Sequence, residues 1–397
     1  LGLTKRYSYF TSTFCFLYMH YDLIILGAGC SSMQLLHAML RTSNGKKLRI
    51  LILEKEQDFP EKSWCFWSKN AAEYDSLVSK KWNQIEFFTN SYALHKAINP
   101  YQYKYIHSQT FFDFHVDLIH KADNVDFFRE EVLSVDRNDQ IFSVKTTKTT
   151  YTAAKVYSSM YTQSELRKNE LLLWQHFYGY FIKTEKPVFN KDVFRMMDFR
   201  TPQSATGSHF IYILPFSETE ALVEFTAFSS VESYADTEYK DYLSTYIETH
   251  FPINYQITRI ERGKIPMSNA QPNTDNLDGI IPIGGRAGAI KPSTGYAFNR
   301  IRKNTQALFS DDFRSVSVPF FNQNRFQLYD TLLLQIIKTN PQKINLVMEQ
   351  LFRKNNPTTI LKFLDEETTI LEDLSIFSRL PIPLFLNQLK NYVKNRI

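Results

Sequence analysis

The segment from Tyr21 to Glu54 constrains this chain more than any other. Tyr21-Asp22-Leu23-Ile24-Ile25-Leu26 is a short apolar run of the kind that forms a parallel strand buried on both faces. It feeds Gly27-Ala28-Gly29-Cys30-Ser31-Ser32, Met33 to Leu40 then has helical character, and a second apolar run from Leu48 to Leu53 ends on Glu54. Strand, glycine turn, helix and strand make a βαβ unit. Gly27 permits the tight turn and Gly29, past Ala28, lets the backbone approach a pyrophosphate. The helix beginning near Cys30 points its free N–H groups at that charge. Glu54 stands about where a carboxylate accepts hydrogen bonds from a ribose hydroxyl, whereas Ser32 takes the place of the usual third glycine. The prediction is an α/β chain whose first domain is Rossmann-like and binds a dinucleotide.

Farther along, the pattern changes. His209 to Leu214 and Ala221 to Phe228, separated by Pro215 to Glu220, read as a hairpin in an antiparallel sheet. A second small-residue segment follows Asp278 to Ile283: Gly284-Gly285-Arg286-Ala287-Gly288-Ala289-Ile290. The backbone amides of such a loop can lie against a flavin, though an ordinary strand-to-helix loop has the same composition. From about Gln323 the pattern is mostly helical, with breaks expected at Pro341, Pro357, Pro381 and Pro383.

Composition excludes more than it selects. The net charge of +5 is spread through the chain with no dense basic run, which argues against a nucleic-acid partner. Cys15, Cys30 and Cys65 have no C-x-x-C or metal-like spacing, and neither do His95, His107, His115 and His120, so no metal and no disulfide framework is expected. A reducing cytoplasmic setting fits. No apolar run reaches about 18 residues, the length that would suggest a membrane span. Residues 1 to 18 read as an extension ahead of Met19; the rival reading is a signal peptide, with Lys5 and Arg6 before an apolar-aromatic stretch, but no small-residue cleavage site follows. Aromatic residues make up 15% of the chain, enough to line a pocket for a large apolar ligand as well as a core.

The stretch GGRAGAIKPSTGYAF, Gly284 to Phe298, resembles the late flavin-contacting signature of the lycopene cyclase family. Further segments resemble that family in the same order: Lys62 to Trp67, Gln175 to Tyr180, Met197 to Arg200, Leu214 to Phe228, Gly263 to Met267, and Phe363 to Pro381. The resemblance implies a two-domain flavoprotein like the aromatic hydroxylases, with an antiparallel-sheet substrate domain facing the flavin and a helical C-terminal region. The FAD-binding domain is expected over 19–85, 101–160 and 275–310, the substrate domain over 86–100 and 161–274, and the helical region over 311–397. FAD is expected against Gly27, Ala28, Gly29, Glu54, Gly285, Ala287 and Gly288, active when reduced, with NADPH as an external reductant. Two departures stand out. Arg286 lies where flavin hydroxylases usually have a Gly-Asp pair, which counts against a hydroxylase, and Tyr157-Ser158-Ser159 stands where family members often have Asn or Asp before Ser.

The implied reaction is a bacterial-type lycopene β-cyclisation without net electron transfer. A terminal alkene of lycopene, or a related linear carotenoid, is protonated, a ring closes through a carbocation, and a proton leaves to give a β-ionone ring. The acid should be a carboxyl group kept protonated by burial. Glu224 is the first candidate, since Leu222, Thr226 and Phe228 share its strand face and Ala221, Val223, Phe225 and Ala227 occupy the other, so that both sides look buried. Asp198 is a second candidate, and it and Glu261 are each expected to pair locally with an arginine. Trp64, Phe66 and Trp67 are candidates for lining a polyene tunnel, with core packing expected for at least one. The competing functions are a flavin-dependent hydroxylase or polyprenyl reductase of the same fold, and a non-catalytic carotenoid-binding protein. A lipid-dissolved substrate also implies peripheral membrane attachment, with Leu384-Phe385-Leu386, Leu389, Lys390, Lys394 and Arg396 as the expected contact.

Overall fold

The structure, a computed structural model, describes residues 19–69, 73–160, 171–270, 279–310 and 324–394. The expected extension over residues 1–18, Asp278, Gln323 and Arg396 lie outside them.

The βαβ unit forms as the sequence predicts. Strand β1 (Met19–Leu26) leads into helix α1 (Cys30–Leu40), three residues longer at its start than its apolar pattern, and strand β2 (Ile50–Glu54) pairs in parallel with β1 from Leu23↔Ile50 to Leu26↔Leu53. The unbroken apolar run of β1 has a packing cause. Leu23 and Ile25 join Met33 and Leu36 of α1 in one core cluster, while Tyr21, Ile24 and Leu26 join Phe142, Val144 and Tyr151 in another. Each such side chain contributes about 1.5–3 kcal/mol on burial.

Two smaller pieces follow. Strands β3 (Ser63–Ser68), β4 (Lys80–Trp82) and β7 (Gln102–His107) form a three-stranded sheet in the order β3-β7-β4, whereas β5 (Gln84–Phe88) and β6 (Ala93–Ala97) belong to a large second sheet. Helix α2 (Ser108–His120) returns the chain to the first sheet, which gains β8 (Val125–Arg129) beside β2 and, on the other side of β1, β11 (Thr150–Ser158), β10 (Ile141–Thr146) and β9 (Val132–Asn138).

The second sheet is completed by β12 (Leu172–Thr184), β13 (Val193–Asp198), β14 (Gly207–Pro215), β15 (Glu220–Ser229) and β16 (Tyr255–Ser268), in the order β16-β12-β15-β14-β13-β5-β6. The expected hairpin is β14-β15, with Tyr212 opposite Glu224. Helix α3 (Asp236–His250) covers one face, where Ile211, Ile213, Val223 and Phe225 pack on Leu243 and Ile247. On the other face Phe210, Leu214, Leu222 and Phe228 share a core with Leu334, Met348 and Phe352 of the C-terminal helices.

The last part begins with β17 (Ile281–Pro282), which pairs with β11, and α4 (Phe298–Ser310). Helices α5 (Asn324–Thr339), α6 (Ile344–Lys354), α7 (Pro357–Leu364), α8 (Ile370–Phe377) and α9 (Ile382–Lys394) follow. Pro341 opens a one-turn 3-10 helix, Pro357 is the first residue of α7, and Pro381 precedes α9. Pro383 is a correction, because it sits inside the first turn of α9. A proline is tolerated there since its missing N–H has no partner in the helix anyway.

Candidate active site

The two glycine segments, distant in sequence, meet at the start of α1. Gly27 has a left-handed backbone (φ +84°), and the Ala28 N–H donates to Glu54 Oε2 at 2.7 Å while the Glu56 N–H donates to Oε1 at 3.0 Å. Glu54 is thereby fixed beneath the turn. Gly29 is the N-cap of α1 and no side chain caps the helix, so its first turn presents main-chain donors. A Cβ built on Gly29 would meet no atom within 4 Å, which leaves the space above it open to a ligand. Gly284 (φ +60°) packs on the same turn: a Cβ there would lie 2.5 Å from Ser31 Oγ. The 3-10 turn Gly284–Ala287 ends at Gly288 (φ +73°), whose N–H donates to the Gly285 carbonyl at 2.9 Å; Ala287 is buried and Gly285 is partly exposed. The Tyr157-Ser158-Ser159 segment lies alongside, since the Ser158 carbonyl accepts from the Ile283 N–H at 2.9 Å and Ser159 borders Gly27.

Beyond these turns lies a cavity of about 400 Å³ between the second sheet, β3, the Ser293–Phe298 loop and helices α5 to α9. Its lining is mainly apolar and aromatic, with Trp64, Phe177, Tyr212, Tyr296 and Phe385 among the contributors. Of the three expected tunnel aromatics only Trp64 borders it. Phe66 stacks on Phe298 at 4.7 Å, and Trp67 is buried with its indole N–H donating to the Leu361 carbonyl at 3.2 Å. Both are packing residues. The helical cover is anchored from within: Lys291 pairs with Asp330 (3.0 Å) and Glu366 (3.0 Å), and Ser293 Oγ donates to Asp330 at 2.5 Å. No sequence pattern pointed to this cluster, because its members come from three separate segments.

Glu224 borders the cavity on β15. Among the described residues its one hydrogen bond comes from Thr226 Oγ1 at 2.8 Å. Burial, reinforced by the negative charge of Glu261 and opposed only by the Thr226 bond, pushes its carboxyl up to about 8. A carboxyl raised in this way is mainly protonated near neutrality and able to donate a proton.

Asp198 is not brought to the same place. It lies on the α3 side of the sheet, where it accepts from Arg200 Nη2 (2.6 Å), Arg195 Nη1 (3.2 Å) and the Tyr246 hydroxyl. Burial acts to raise its carboxyl, but the Arg200 and Tyr246 bonds and the two guanidinium charges outweigh it and hold the group below its ordinary value. An ionised, fully paired carboxylate is a poor proton donor, so the geometry separates the two sequence candidates. Glu261 is a further correction. Among the described residues it makes no ion pair with an arginine; Ser63 donates to it instead, through N–H to Oε1 at 2.7 Å and Oγ to Oε2 at 2.5 Å, and it borders the cavity. Arg262 turns the other way, to Asp236 at 3.4 Å. The histidines are dispersed, with His115 buried against the Phe111 carbonyl and His107 capping α2, and among the described residues no group of three His, Cys, Asp or Glu is placed to hold a metal.

Comparison with known proteins places this geometry. Over 130 residues the chain is 33% identical to a lycopene β-cyclase from Paracoccus sp. (strain N81106 / MBIC 01143), an aligned stretch covering 31% of this chain and 32% of that protein. Three solved structures share the fold. A geranylgeranyl bacteriochlorophyll reductase-like protein from Thermoplasma acidophilum superposes with a TM-score of 0.59 at 17% identity, over 94% of this chain and 99% of the other. The p-nitrophenol 4-monooxygenase PnpA from Pseudomonas putida DLL-E4 gives 0.56 at 11%, over 95% and 98%. A variant of the halogenase PltM in complex with FAD gives 0.56 at 14%, over 89% and 83%. The fold is thus the α/β architecture of the aromatic-hydroxylase and reductase flavoproteins, with a helical C-terminal region. The sequence model described as "Lycopene cyclase protein" matches residues 22–389, nearly the whole chain, and the protein belongs to the lycopene cyclase family.

Proposed function

We propose that this protein is a lycopene β-cyclase that closes the ψ end groups of lycopene, or of a related linear carotenoid, into β-ionone rings by acid catalysis, as an intramolecular lyase or isomerase. The observation that carries the reading is Glu224, a carboxyl kept neutral by burial and set in an aromatic, mainly apolar cavity. A protonated carboxyl in such surroundings can begin carbocation chemistry that water would quench. Expression in a lycopene-accumulating host tests it. Cyclised pigment has the mass of lycopene, whereas a product heavier by oxygen or hydrogen would identify a hydroxylase or a reductase, and unchanged lycopene a binding protein.

The cofactor in this reading is FAD, bound at the converging glycine segments. Gly27, Ala28, Gly29 and Glu54 would hold its ribose and pyrophosphate, and Gly285, Ala287 and Gly288 would approach the flavin. The open side of Gly29 and the uncapped start of α1 fit a phosphate group. When bound there in its reduced form, with NADPH as the external reductant, FAD would supply negative charge to stabilise the carbocation without redox turnover. Gly29→Leu is expected to place a side chain in that open space and to lower flavin affinity at least about 100-fold, since the pyrophosphate could no longer approach the backbone. Flavin absorbance after gel filtration checks it, and retained flavin would refute the placement. The same reading divides the chain into a nucleotide-binding part on the first sheet, a substrate part on the second and a helical cover.

Attachment to a lipid surface completes the proposal, and the structure adds a segment to the expected contact. Among the described residues no helix is long and apolar enough to cross a membrane. Helix α8 exposes Ile370, Leu371 and Leu374 at 61%, 78% and 61%, and Leu386 of α9 is 50% exposed, while Ile376, Phe377 and Phe385 of the same two helices line the cavity. Leu384 and Phe385 are partly buried against the core, so they supply less surface than the sequence implied. An apolar surface continuous with the cavity wall, beside exposed Lys390 and Lys394, fits a helix pair seated in an anionic bilayer. The protein is expected to float with anionic liposomes, and replacing both Leu371 and Leu374 by Ser to reduce flotation several-fold. Undiminished flotation of that variant would remove α8 from the contact.

A further inference from the structure

The two strands that flank β12 each present a carboxyl group beside the same residue. Gly179 of β12 is opposite Glu224 of β15 and also opposite Glu261 of β16. Directly opposed residues of antiparallel strands point to one face, and neighbouring strands lie about 4.8 Å apart, so the two α-carbons are separated by roughly 10 Å. Gly179 puts no side chain between them. A Cβ there would lie 2.8 Å from Leu222 Cδ1 and 3.3 Å from both Cβ and Cγ of Glu224, so glycine leaves room for those two side chains to lie over the strand. Both carboxyls border the cavity.

Their surroundings differ in the way an acid and a base require. Glu224 accepts one hydrogen bond, from Thr226. Both oxygens of Glu261 accept from Ser63, one from the main-chain N–H and one from the hydroxyl. Burial, with the Glu61 charge, raises the Glu261 carboxyl above its ordinary value, as burial does that of Glu224, but at Glu261 the two Ser63 bonds and the Arg259 charge oppose the rise. Donors on both oxygens favour the ionised form at Glu261 more than the single donor does at Glu224, a difference that suits the pair to a proton donor and a proton acceptor.

We infer that Glu261 is the base of the cyclisation, its carboxylate taking the proton that ring closure releases on the opposite side of the end group from Glu224. The inference rests on the cyclase reading. In the first step the Glu224 O–H bond breaks and a C–H bond forms at the terminal alkene, leaving a carbocation that the next double bond closes into a ring. In the second a ring C–H bond breaks, its electron pair becomes the ring double bond, and the proton forms an O–H bond on Glu261. Atoms and electrons balance with no oxidant or reductant. The proton returns from Glu261 to Glu224 before the next turnover.

The test measures ring formation against pH in purified, flavin-loaded protein with lycopene supplied in liposomes, for the unsubstituted chain, Glu261→Gln, Glu261→Asp and Ser63→Ala. The groups facing Glu261 are Glu61 from the segment leading into β3, Ser63 and Cys65 of β3, Arg259 of its own strand and Glu224 across Gly179, with Tyr105 of β7 behind Ser63. Glu261→Gln should lose about 100-fold or more in rate with flavin retained, and Glu261→Asp should recover part of it, because a carboxylate is restored. Ser63→Ala removes a donor to the ionised form, so the acid limb of the profile should move to higher pH. A Glu261→Gln protein that cyclises at the unsubstituted rate with the same acid limb overturns the inference. Should that variant fail to hold flavin, an unshifted acid limb in Ser63→Ala overturns it just as well. Absence of cyclisation in the unsubstituted chain is a different result, which overturns the cyclase reading and the inference with it.

Discussion

Glu224→Gln is expected to retain flavin and to lose ring formation by about 10²–10⁴-fold, the usual worth of a positioned proton donor. The amide fills the same space opposite Gly179 and Tyr212 and can still accept from Thr226, so folding and cofactor binding have no reason to change. It has no transferable carboxyl proton. The unsubstituted enzyme carries a matching pH signature. Its donor must be protonated to act, and burial places the carboxyl at about 8, so the rate should hold through neutrality and fall as the pH rises through that value. Pigment analysis of the variant and a rate profile from pH 6 to 10 check both statements. Substantial β-ring formation by Glu224→Gln, or a basic limb that sets in near pH 5, would reassign the acid.

What the sequence disclosed and what it withheld follow from the range of the interactions involved. The βαβ unit was legible because its signals are local: an apolar run too continuous for a half-exposed strand, a glycine turn, and an acid at the end of β2. The two-sided burial of β15 was legible for the same reason, since alternate positions of one strand report both faces. The relation of Glu224 to Glu261 was not, because it depends on β12 running between β15 and β16 with Gly179 at the shared level. A strand order of that kind is absent from either segment taken alone. The exposed face of α8 was overlooked for another reason: Ile370, Leu371 and Leu374 look like core residues until the fold leaves them without cover. The pairing of Asp198 with an arginine was legible from Arg200 two residues on, whereas the part played by Arg195 and Tyr246 depends on how the sheet meets α3.

Asp198→Asn should therefore act on stability, with much less effect on the chemistry. Asp198 is fully buried on β13 and joins Arg195, Arg200 and Tyr246, tying the sheet to α3. Removing one partner of a buried ion pair costs about 3–5 kcal/mol, because the remaining charges stay desolvated without compensation. The lower end applies here, since Arg200 is 28% exposed and Arg195 keeps a second partner in Glu86 at 2.9 Å. The loss should depend on pH with a definite sign. The Asp198 carboxyl is held below its ordinary value in the folded protein, so its contribution is present above the usual carboxylate range and disappears as the pH falls through the folded value. Denaturation of the two proteins at pH 7 and at pH 3 should show a midpoint difference of several degrees that narrows in acid. In the same preparations, ring formation per mole of folded, flavin-bound Asp198→Asn protein should stay within about tenfold of the unsubstituted enzyme, far from the loss expected of a missing proton donor. A variant that matches the parent in stability but forms no rings would return Asp198 to the chemistry and place a further essential carboxylate, beyond Glu224 and Glu261, on the face of the sheet turned away from the cavity.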